Sequence, residues 1–241
     1  MVFSSLVLGT GGLAGWQAQR YFWKRELIND RRALLEAAPR ELADVLRETH
    51  TSSPQEYTRV SVTGRFDHEH EVLVGPRSPP PGTVGLATDT PEVQSGWLVL
   101  TPLLADGDDD VGAMVNRGWV PRDRTHELDR PTGTVRVEGV IRSGEKSGSF
   151  TLANDIDGGR YFWIDLPTMA LRAELFGAMP PLVDAAPSSG SLDASGAWPR
   201  PRPVDSHLAF RVMPEMHVVY ASTWAALSAA TAVMTAVRFR R

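Results

Sequence analysis

The chain begins and ends with apolar segments that enclose a more polar middle. No charged residue occurs in residues 1–16 or in residues 218–237. A helix needs about 20 apolar residues to cross the hydrocarbon core of a bilayer, so the second segment is long enough. The first becomes long enough only if residues 16–23 extend it into the interface, where aromatic side chains are enriched. The pattern therefore predicts two membrane helices, one at each end of the chain.

These helices divide the chain into an N-terminal membrane helix with an interfacial extension (1–23), a soluble domain outside the membrane (24–213) and a C-terminal membrane helix with a basic tail (214–241). The arginines in residues 238–241 predict that this tail faces the cytoplasm or matrix, because positive charge is retained on that side. Two crossings then place the domain on the outer side, although the cations in residues 20–32 oppose this orientation. A cleaved signal peptide or part of a mitochondrial presequence is the competing interpretation of the start.

In the middle of the chain, apolar and polar residues alternate with a period of two, which is typical of strands with one buried face. In residues 134–142, for example, Val135, Val137 and Ile141 share one face of the predicted strand. Alternation at some positions and short apolar or aromatic runs at others predict strands at 57–64, 72–77, 96–103, 113–120, 134–142, 161–164, 180–183 and 207–212.

Two helical segments accompany the strands. Residues 26–47 form a polar helical arm that Pro39 interrupts. Residues 166–176 form a short helix with Asp165 as its N-cap and Gly177 as its stop. The fold class is therefore an α+β membrane protein, in which two transmembrane helices flank a β-rich, antiparallel sheet or barrel-like soluble domain.

The block at 114–121, Met-Val-Asn-Arg-Gly-Trp-Val-Pro, lies near the middle of this domain. Asn116 and Arg117 are predicted to make polar contacts, and Gly118 to occupy a close or unusual backbone position. Trp119 is a large apolar plug, and the following Pro121 ends the strand because it has no N–H. From chemistry alone, this structural motif is a core strand that runs into a turn.

Composition narrows the function classes. The net charge of −4 argues against a nucleic-acid partner. The absence of cysteine removes disulfides, thiolate metal sites and cysteine nucleophiles. His68 and His70 would share one face of a strand as a metal pair, but a third ligand is missing and a solvated strand edge is favoured. The acidic turn with Asp106, Asp108 and Asp110 lacks the glycine and distal glutamate of a calcium loop.

Each membrane segment also carries a distinctive helical face. Trp16, Arg20, Trp23 and Lys24 are spaced three and four residues apart, which indicates an interfacial anchor or a cationic rim for an anionic ligand or a partner's loop. At the other end His217, Tyr220 and Trp224 follow the spacing i, i+3, i+7 and share one face. Gly11 and Gly15, in a four-residue spacing, suit close helix packing in a membrane.

The chain resembles the Surfeit locus protein 1 family of cytochrome c oxidase assembly factors. Three blocks carry the resemblance in the family's order: Gly-Trp-Gln-Ala-Gln-Arg-Tyr-Phe-Trp-Lys at 15–24, the central block at 114–121, and His-Val-Val-Tyr-Ala-Ser-Thr-Trp at 217–224. The resemblance implies two membrane helices around an outer β-rich domain and a role in building the haem-bearing core subunit of the oxidase. Glu215, Met216 and the stretch 187–203 depart from the family's pattern.

The resemblance also implies a cofactor, partners and a location. Haem a would bind through His217 as axial ligand, with Tyr220 and Trp224 as walls and Arg20 or Lys24 meeting the propionates. The partners would be the oxidase core subunit, other oxidase subunits or assembly factors, and membrane lipid. The location would be the mitochondrial inner membrane, with the domain in the intermembrane space, or a bacterial plasma membrane with a periplasmic domain.

Two alternatives to the assembly factor stay open. One is a resident accessory subunit of the oxidase or a respiratory supercomplex, without haem transfer, in which His217 and Tyr220 contact an oxidase helix. From its spacing alone, His217 is an interfacial residue beside an ordinary aromatic belt. The other is a membrane-tethered enzyme, which the sequence favours least. The six histidines are scattered, and no serine occupies a nucleophile elbow.

Overall fold

The computed structural model describes residues 2–49, 54–81, 95–105, 112–175, 180–187, 197–210 and 212–239. The chain forms two compact units. The helical unit comprises Met1–Ala33 and Leu208–Arg241, and the barrel unit comprises Leu34–His207.

The helices and strands have the following bounds. The α-helices are α1 (Val2–Glu36), α2 (Leu42–Glu48), α3 (Leu166–Arg172) and α4 (Pro214–Phe239). The strands are β1 (Arg40–Glu41), β2 (Arg59–Phe66), β3 (Val72–Arg77), β4 (Gly96–Ala105), β5 (Gly112–Pro121), β6 (Thr134–Arg142) and β7 (Leu182–Ala185). Short 3₁₀ helices occupy Arg122–Glu127 and Val204–Leu208.

In the helical unit, α1 and α4 lie antiparallel. Ser228 donates its hydroxyl to the carbonyl of Val7 at 2.9 Å, and His217 Nδ1 lies 2.6 Å from Gln17 Oε1 further along the pair. A Cβ added to Gly11 would lie 3.4 Å from Ser228 Oγ, whereas Gly15 has no atom within 4 Å of that position. Only the first of the two predicted packing glycines therefore lies against the partner helix.

Helix α4 is, within the described ranges, the one helix long and apolar enough to cross a membrane. Its 26 residues rise about 39 Å, more than the roughly 30 Å hydrocarbon core. Its exposed side chains include Val219, Leu227 and Met234. The prediction of an apolar C-terminal helix is thus confirmed. The second predicted membrane helix is not established by composition, because Gln17 and Gln19 interrupt the apolar stretch of α1.

The barrel unit contains a sheet in the order β1-β2-β6-β7-β5-β4-β3, and an additional pairing of β2 with β4 closes it. Five strands, β2, β6, β7, β5 and β4, therefore complete a ring, which leaves β1 and β3 as appended edges. Pairing is antiparallel except between β1 and β2 and between β5 and β7. The predicted α+β class and barrel-like sheet are confirmed, and the two parallel pairs correct the purely antiparallel expectation.

Several predicted elements match the structure. The bounds of β3 and β6 are those predicted, and β5 pairs with β4 as the expected hairpin partner. Asp165 caps α3 by accepting a hydrogen bond from the Thr168 amide. Pro39 lies between α1 and α2, where the predicted helical arm is interrupted.

Other predictions were wrong. The segment predicted as a strand at 207–212 begins in the second 3₁₀ helix, and residues 161–164 contribute only an isolated bridge from Tyr161 to Val74. His68 and His70 lie in the turn between β2 and β3, not on a strand. There Asp67 accepts from His70 Nδ1 at 2.5 Å, and His68 Nε2 lies 2.9 Å from the Pro131 carbonyl oxygen. The acidic turn at 106–110 and Gly177 lie outside the described residues.

Both faces of β5 are buried, which makes it the central strand of the unit. Met114 packs with α3 residues such as Met169, while Ala113 and Val115 on the opposite face pack with Val60 and Val183. Because side chains alternate between the faces of a strand, two separate apolar clusters meet at this one element. The central block therefore stays buried along most of its length, including the polar residue Asn116.

Candidate functional site

The residues singled out from the sequence lie in two places, one in each unit. His217, Tyr220, Trp224 and Arg20 belong to the helical unit, and the structural motif Asn116–Trp119 belongs to β5 of the barrel unit.

His217 lies in the first turn of α4, where Pro214 begins the helix with its fixed φ. Its side chain is buried, and Nδ1 is 2.6 Å from the side-chain oxygen of Gln17. An amide oxygen can only accept, so Nδ1 carries the proton and donates it. Nε2 is buried and has no hydrogen-bond partner in the described parts of the chain. The neutral ring therefore has its lone pair on Nε2, because the hydrogen bond from Nδ1 to Gln17 fixes the tautomer.

Two cations of α1 lie near this ring. The charges of Lys24 and Arg20 both act on His217. The Arg20 guanidinium stacks over Trp23, 4.5 Å from the ring centroid, and faces Trp16 at 6.0 Å. Lys24 Nζ donates to the carbonyl of Val212. The two cations of the predicted basic and aromatic face therefore have different partners. Arg20 contacts tryptophans of α1, whereas Lys24 bonds to the segment that precedes α4.

The other two predicted residues of α4 differ in exposure. Tyr220 is exposed and Trp224 is half-buried. Among the described residues, no ring contact joins either side chain to His217. In this conformation they do not form walls around the imidazole.

In the central block, Asn116 is paired with Asp184. Its Nδ2 donates to Asp184 Oδ1 at 2.8 Å, and its Oδ1 accepts from the Gly118 amide at 3.2 Å. The two residues are register partners on the parallel strands β5 and β7, and both are buried. Burial raises the pKa of the Asp184 carboxyl, while the Asn116 hydrogen bond and the nearby Arg142 oppose this shift.

Arg117 is the extra residue of a β-bulge. The register of β4 with β5 changes between the pairs Val99–Gly118 and Leu100–Asn116, so Arg117 has no partner opposite. Its guanidinium lies 3.3 Å from Glu71 Oε2 and 4.9 Å from the centre of the Phe66 ring. Glu71 also accepts from Arg130 at 2.9 Å, and its side chain is only 7% exposed. The bulge thus directs Arg117 into a largely buried ionic cluster.

The end of the block packs against the segment around Arg200. Gly118 has a φ of +134°, and a Cβ there would be 2.1 Å from the Arg200 carbonyl oxygen. Trp119 exchanges two backbone hydrogen bonds of 2.8 Å with Arg200 and donates its indole N–H to the Arg77 carbonyl at 3.0 Å. Only glycine suits both the conformation and the space at position 118.

Comparison with known proteins identifies the chain's relatives. The model of the SURF1 family matches residues 5–229, which include all three sequence blocks. The chain belongs to the SURF1 family. A SURF1-like protein of Drosophila melanogaster is 36% identical over 236 residues, covering 93% of this chain and 72% of that protein. Surfeit locus protein 1 of Xenopus tropicalis is 32% identical over 244 residues, covering 97% and 73%. A Monosiga brevicollis SURF1-like protein is 35% identical, covering 95% and 83%.

Within this SURF1 family chain, three contact residues escaped the sequence analysis. Gln17 looked like one polar residue of an interfacial helix, and its role depends on a partner 200 positions away. Asp184 follows directly after a predicted strand, so its strand register with Asn116 was not visible. Glu71 was one of several charges in a segment predicted to be a solvated strand edge. The available signal for Asp184 was a lone acidic residue in an apolar run.

Metal binding by the clustered acids and histidines finds no support in the described ranges. No group of three or more His, Asp or Glu side chains there has the proximity to hold a metal ion. His68 and His70 instead contact Pro131 and Asp67 from the turn that precedes Glu71.

Proposed function

We propose that this chain is a membrane-anchored assembly factor for cytochrome c oxidase that assists maturation of, or haem insertion into, the core subunit, and that it is not an enzyme. The observation that carries the proposal is the SURF1 family match over residues 5–229, because it unites the three blocks in one family pattern. Support for a binding role comes from the buried imidazole of His217, whose Nε2 has no hydrogen-bond partner in the described chain.

The proposal places both ends of the chain in a membrane. The first half of α1 crosses beside α4, since the two helices are joined at Val7–Ser228 and Gln17–His217. Thr10 and Thr231 are buried yet satisfied, because each hydroxyl donates at 2.8 Å to a carbonyl of its own helix. Such satisfied small polar residues suit a helix pair in lipid. The membrane is the mitochondrial inner membrane or a bacterial plasma membrane, with the barrel unit on the outer side.

Haem a is the cargo that fits the residues near His217. Neutral imidazole Nε2 is a common axial ligand, and a hydrogen bond from Nδ1 to an oxygen is the usual way of orienting such a ligand. Arg20 and Lys24 supply cations for the propionates. Because Nε2 is covered in this conformation, binding requires the neighbouring side chains to move apart. The iron porphyrin itself supplies the redox centre that the oxidase core subunit needs.

A resident accessory subunit of the oxidase is the second candidate. The exposed apolar side chains of α4, including Val219 and Tyr220, favour it because they could pack against an oxidase helix. In that case His217 and Tyr220 would be contacts to a permanent partner.

One experiment separates these proposals. The chain is removed from its host and restored as a tagged copy, and oxidase activity, haem a content and copurification are measured. An assembly factor gives a loss of haem a in the core subunit on removal and a substoichiometric amount of the chain on mature oxidase. A stoichiometric chain on active oxidase indicates the accessory subunit. Normal oxidase without the chain contradicts both.

A further inference from the structure

The barrel unit contains a cavity of about 280 Å³ beside the central block. Asn116 and Asp184 lie on its wall together with Arg77, Arg142, Arg202 and Glu145. Small-molecule pockets are usually of about 300–1,000 Å³ and combine apolar walls with a few convergent polar groups. The cavity is therefore near the lower end of the size that holds a small ligand.

The charges on this wall do not balance. Three arginines face two carboxyl groups, so the lining has a net positive charge even when both acids are ionised. Arg77 is already paired with Glu145, with 2.5 Å between Nη2 and Oε2. Arg202 donates to the hydroxyl of Ser206 at 2.7 Å. Beyond the Arg77–Glu145 pair, the positive charge of the lining comes from Arg142 and Arg202, and both act on the Asp184 carboxyl.

Arg142 is the cation best placed to receive a ligand. It makes no ion pair with a carboxylate in the parts of the chain that the structure describes, and its guanidinium stacks over Tyr57 at 4.7 Å. Stacking fixes the plane of the guanidinium and leaves its N–H edge available, which is the geometry that binds an oxyanion through two hydrogen bonds.

Asp184 does not neutralise this arginine fully. Its carboxyl is buried and bonded to Asn116, and burial raises its pKa, which favours the uncharged acid. His207 Nε2 lies 3.9 Å from Asp184 Oδ2, beyond hydrogen-bond distance. The wall thus offers a cation at Arg142 and, at Asp184, a group that can also donate to an oxygen when protonated.

Part of the lining is apolar. Leu98, Ile164 and Leu182 supply it, and Leu182 belongs to the core cluster that includes Met169 of α3. An entirely inorganic ion would leave these side chains facing water. A ligand with a short hydrocarbon body and one anionic end matches both parts.

We propose that this cavity binds a small organic oxyanion, a carboxylate or phosphate monoester on a short apolar body, with Arg142 as its anchoring cation. The site lies wholly within the barrel unit and uses none of the residues near His217. It is therefore independent of the proposed haem binding and of the oxidase-assembly role.

Titration calorimetry of the full chain in a neutral maltoside detergent tests this site. The probes are butanoate, butyl phosphate and, as the cationic counterpart of equal length, butylammonium. We expect saturable binding of at least one anion and none of butylammonium. Preference for butanoate identifies the carboxylate and preference for butyl phosphate identifies the phosphate ester. Absence of saturable binding by both anions, or equal binding of the cation, overturns the proposal.

Variants localise the binding. R142Q should weaken binding by about tenfold or more, whereas R142K should keep part of it because the charge remains. R136Q is the matched control, since Arg136 lies on the same strand but contacts Ser61 and Glu41 away from the cavity. Circular dichroism confirms that each variant is folded. Equal affinity in R142Q and wild type would exclude Arg142 as the anchor.

Discussion

His217 Nδ1 and Gln17 Oε1 lie 2.6 Å apart, although the two residues are separated by 200 positions in the sequence. The contact joins the first turn of α4 to the middle of α1. It also assigns the Nδ1 proton, because the amide oxygen must accept, and so leaves the lone pair of His217 on Nε2. The contact therefore links the pairing of the helices to the chemistry available at the imidazole.

We expect Gln17→Ala to weaken haem a binding and His217→Ala to abolish it. Loss of a partner that orients a histidine ligand typically costs about 10–100-fold in affinity, whereas loss of the ligand removes the coordinate bond. Each variant is expressed with haem a synthesis present, and the absorption band is measured per purified chain. Gln19→Ala is the matched control, because Gln19 is exposed on the same helix. An unchanged band in His217→Ala would exclude this residue as the ligand.

Gly118→Ala should destabilise the barrel unit by at least about 2 kcal/mol, because a positive φ and a backbone clash act together. The added Cβ would lie 2.1 Å from the Arg200 carbonyl, which is backbone and cannot rotate away. The thermal midpoint in detergent and the abundance of the chain in the membrane measure the loss. Gly133→Ala is the control, since no atom lies within 4 Å of its Cβ position. Equal midpoints for the two variants would refute the argument.

Removing the Glu71 side chain should destabilise the barrel unit, because Arg117 would lose the carboxylate that it pairs with. The two side chains are 7% and 9% exposed, and breaking such a buried pair costs about 3–5 kcal/mol. We expect Glu71→Ala to lower the thermal midpoint strongly and Glu71→Gln to lower it less, because the amide still accepts a hydrogen bond. Glu69→Ala, in the exposed part of the same turn, should change little. A Glu71→Ala variant as stable as the Glu69 control would show that Arg117 needs no buried partner.

Alternation predicted β6 well, because Val135, Val137 and Ile141 recur on one face with a period of two. The bounds of β3 followed instead from a short apolar run that ends at Pro76. The failure at residues 207–212 has a different cause. A short alternation there is weak, and the preceding residues form a 3₁₀ helix in which His207 is buried beside Asp184. Short-range pattern could not anticipate a contact set by tertiary packing.

The candidate site was predictable to a similar degree. The face of α4 that carries His217 followed from helical spacing, and the unusual backbone at Gly118 followed from residue type. The bulge at Arg117 and the pairing of Asn116 with Asp184 did not, because both depend on the register between strands far apart in sequence. Register is fixed by the whole closed sheet, and no single segment carries that information.

Asp184→Asn should reduce the loss of stability that the wild type shows as the pH rises. Burial raises the folded-state pKa of Asp184, so the folded chain holds this proton more tightly than the unfolded chain. Stability from this group is therefore complete below the ordinary carboxyl pKa of about 4 and declines as the pH rises from there through the raised value. The asparagine has no such proton, yet its amide oxygen can accept from Asn116.

Thermal midpoints of the wild type and Asp184→Asn, measured from pH 4 upward, check this expectation. The thermal midpoint of Asp184→Asn should rise relative to that of the wild type as the pH increases. Asp157→Asn, at an exposed turn position, is the control and should follow the wild type. A constant difference between the wild type and Asp184→Asn across the pH range would show that the carboxyl does not change protonation in the folded state.

The absence of cysteine permits a direct test of the proposed orientation. A single cysteine at His126, whose side chain is 75% exposed in the barrel unit, should react with a membrane-impermeant maleimide added to the outer face. A cysteine at Phe239, the exposed last residue of α4, should react only after the membrane is permeabilised, because the proposed positive end lies inside. Both proteins are compared with the unmodified chain, which provides the cysteine-free background. Labelling at position 239 in intact membranes, with position 126 protected, would reverse the orientation. Labelling of both positions from the outer face would show that α4 does not cross.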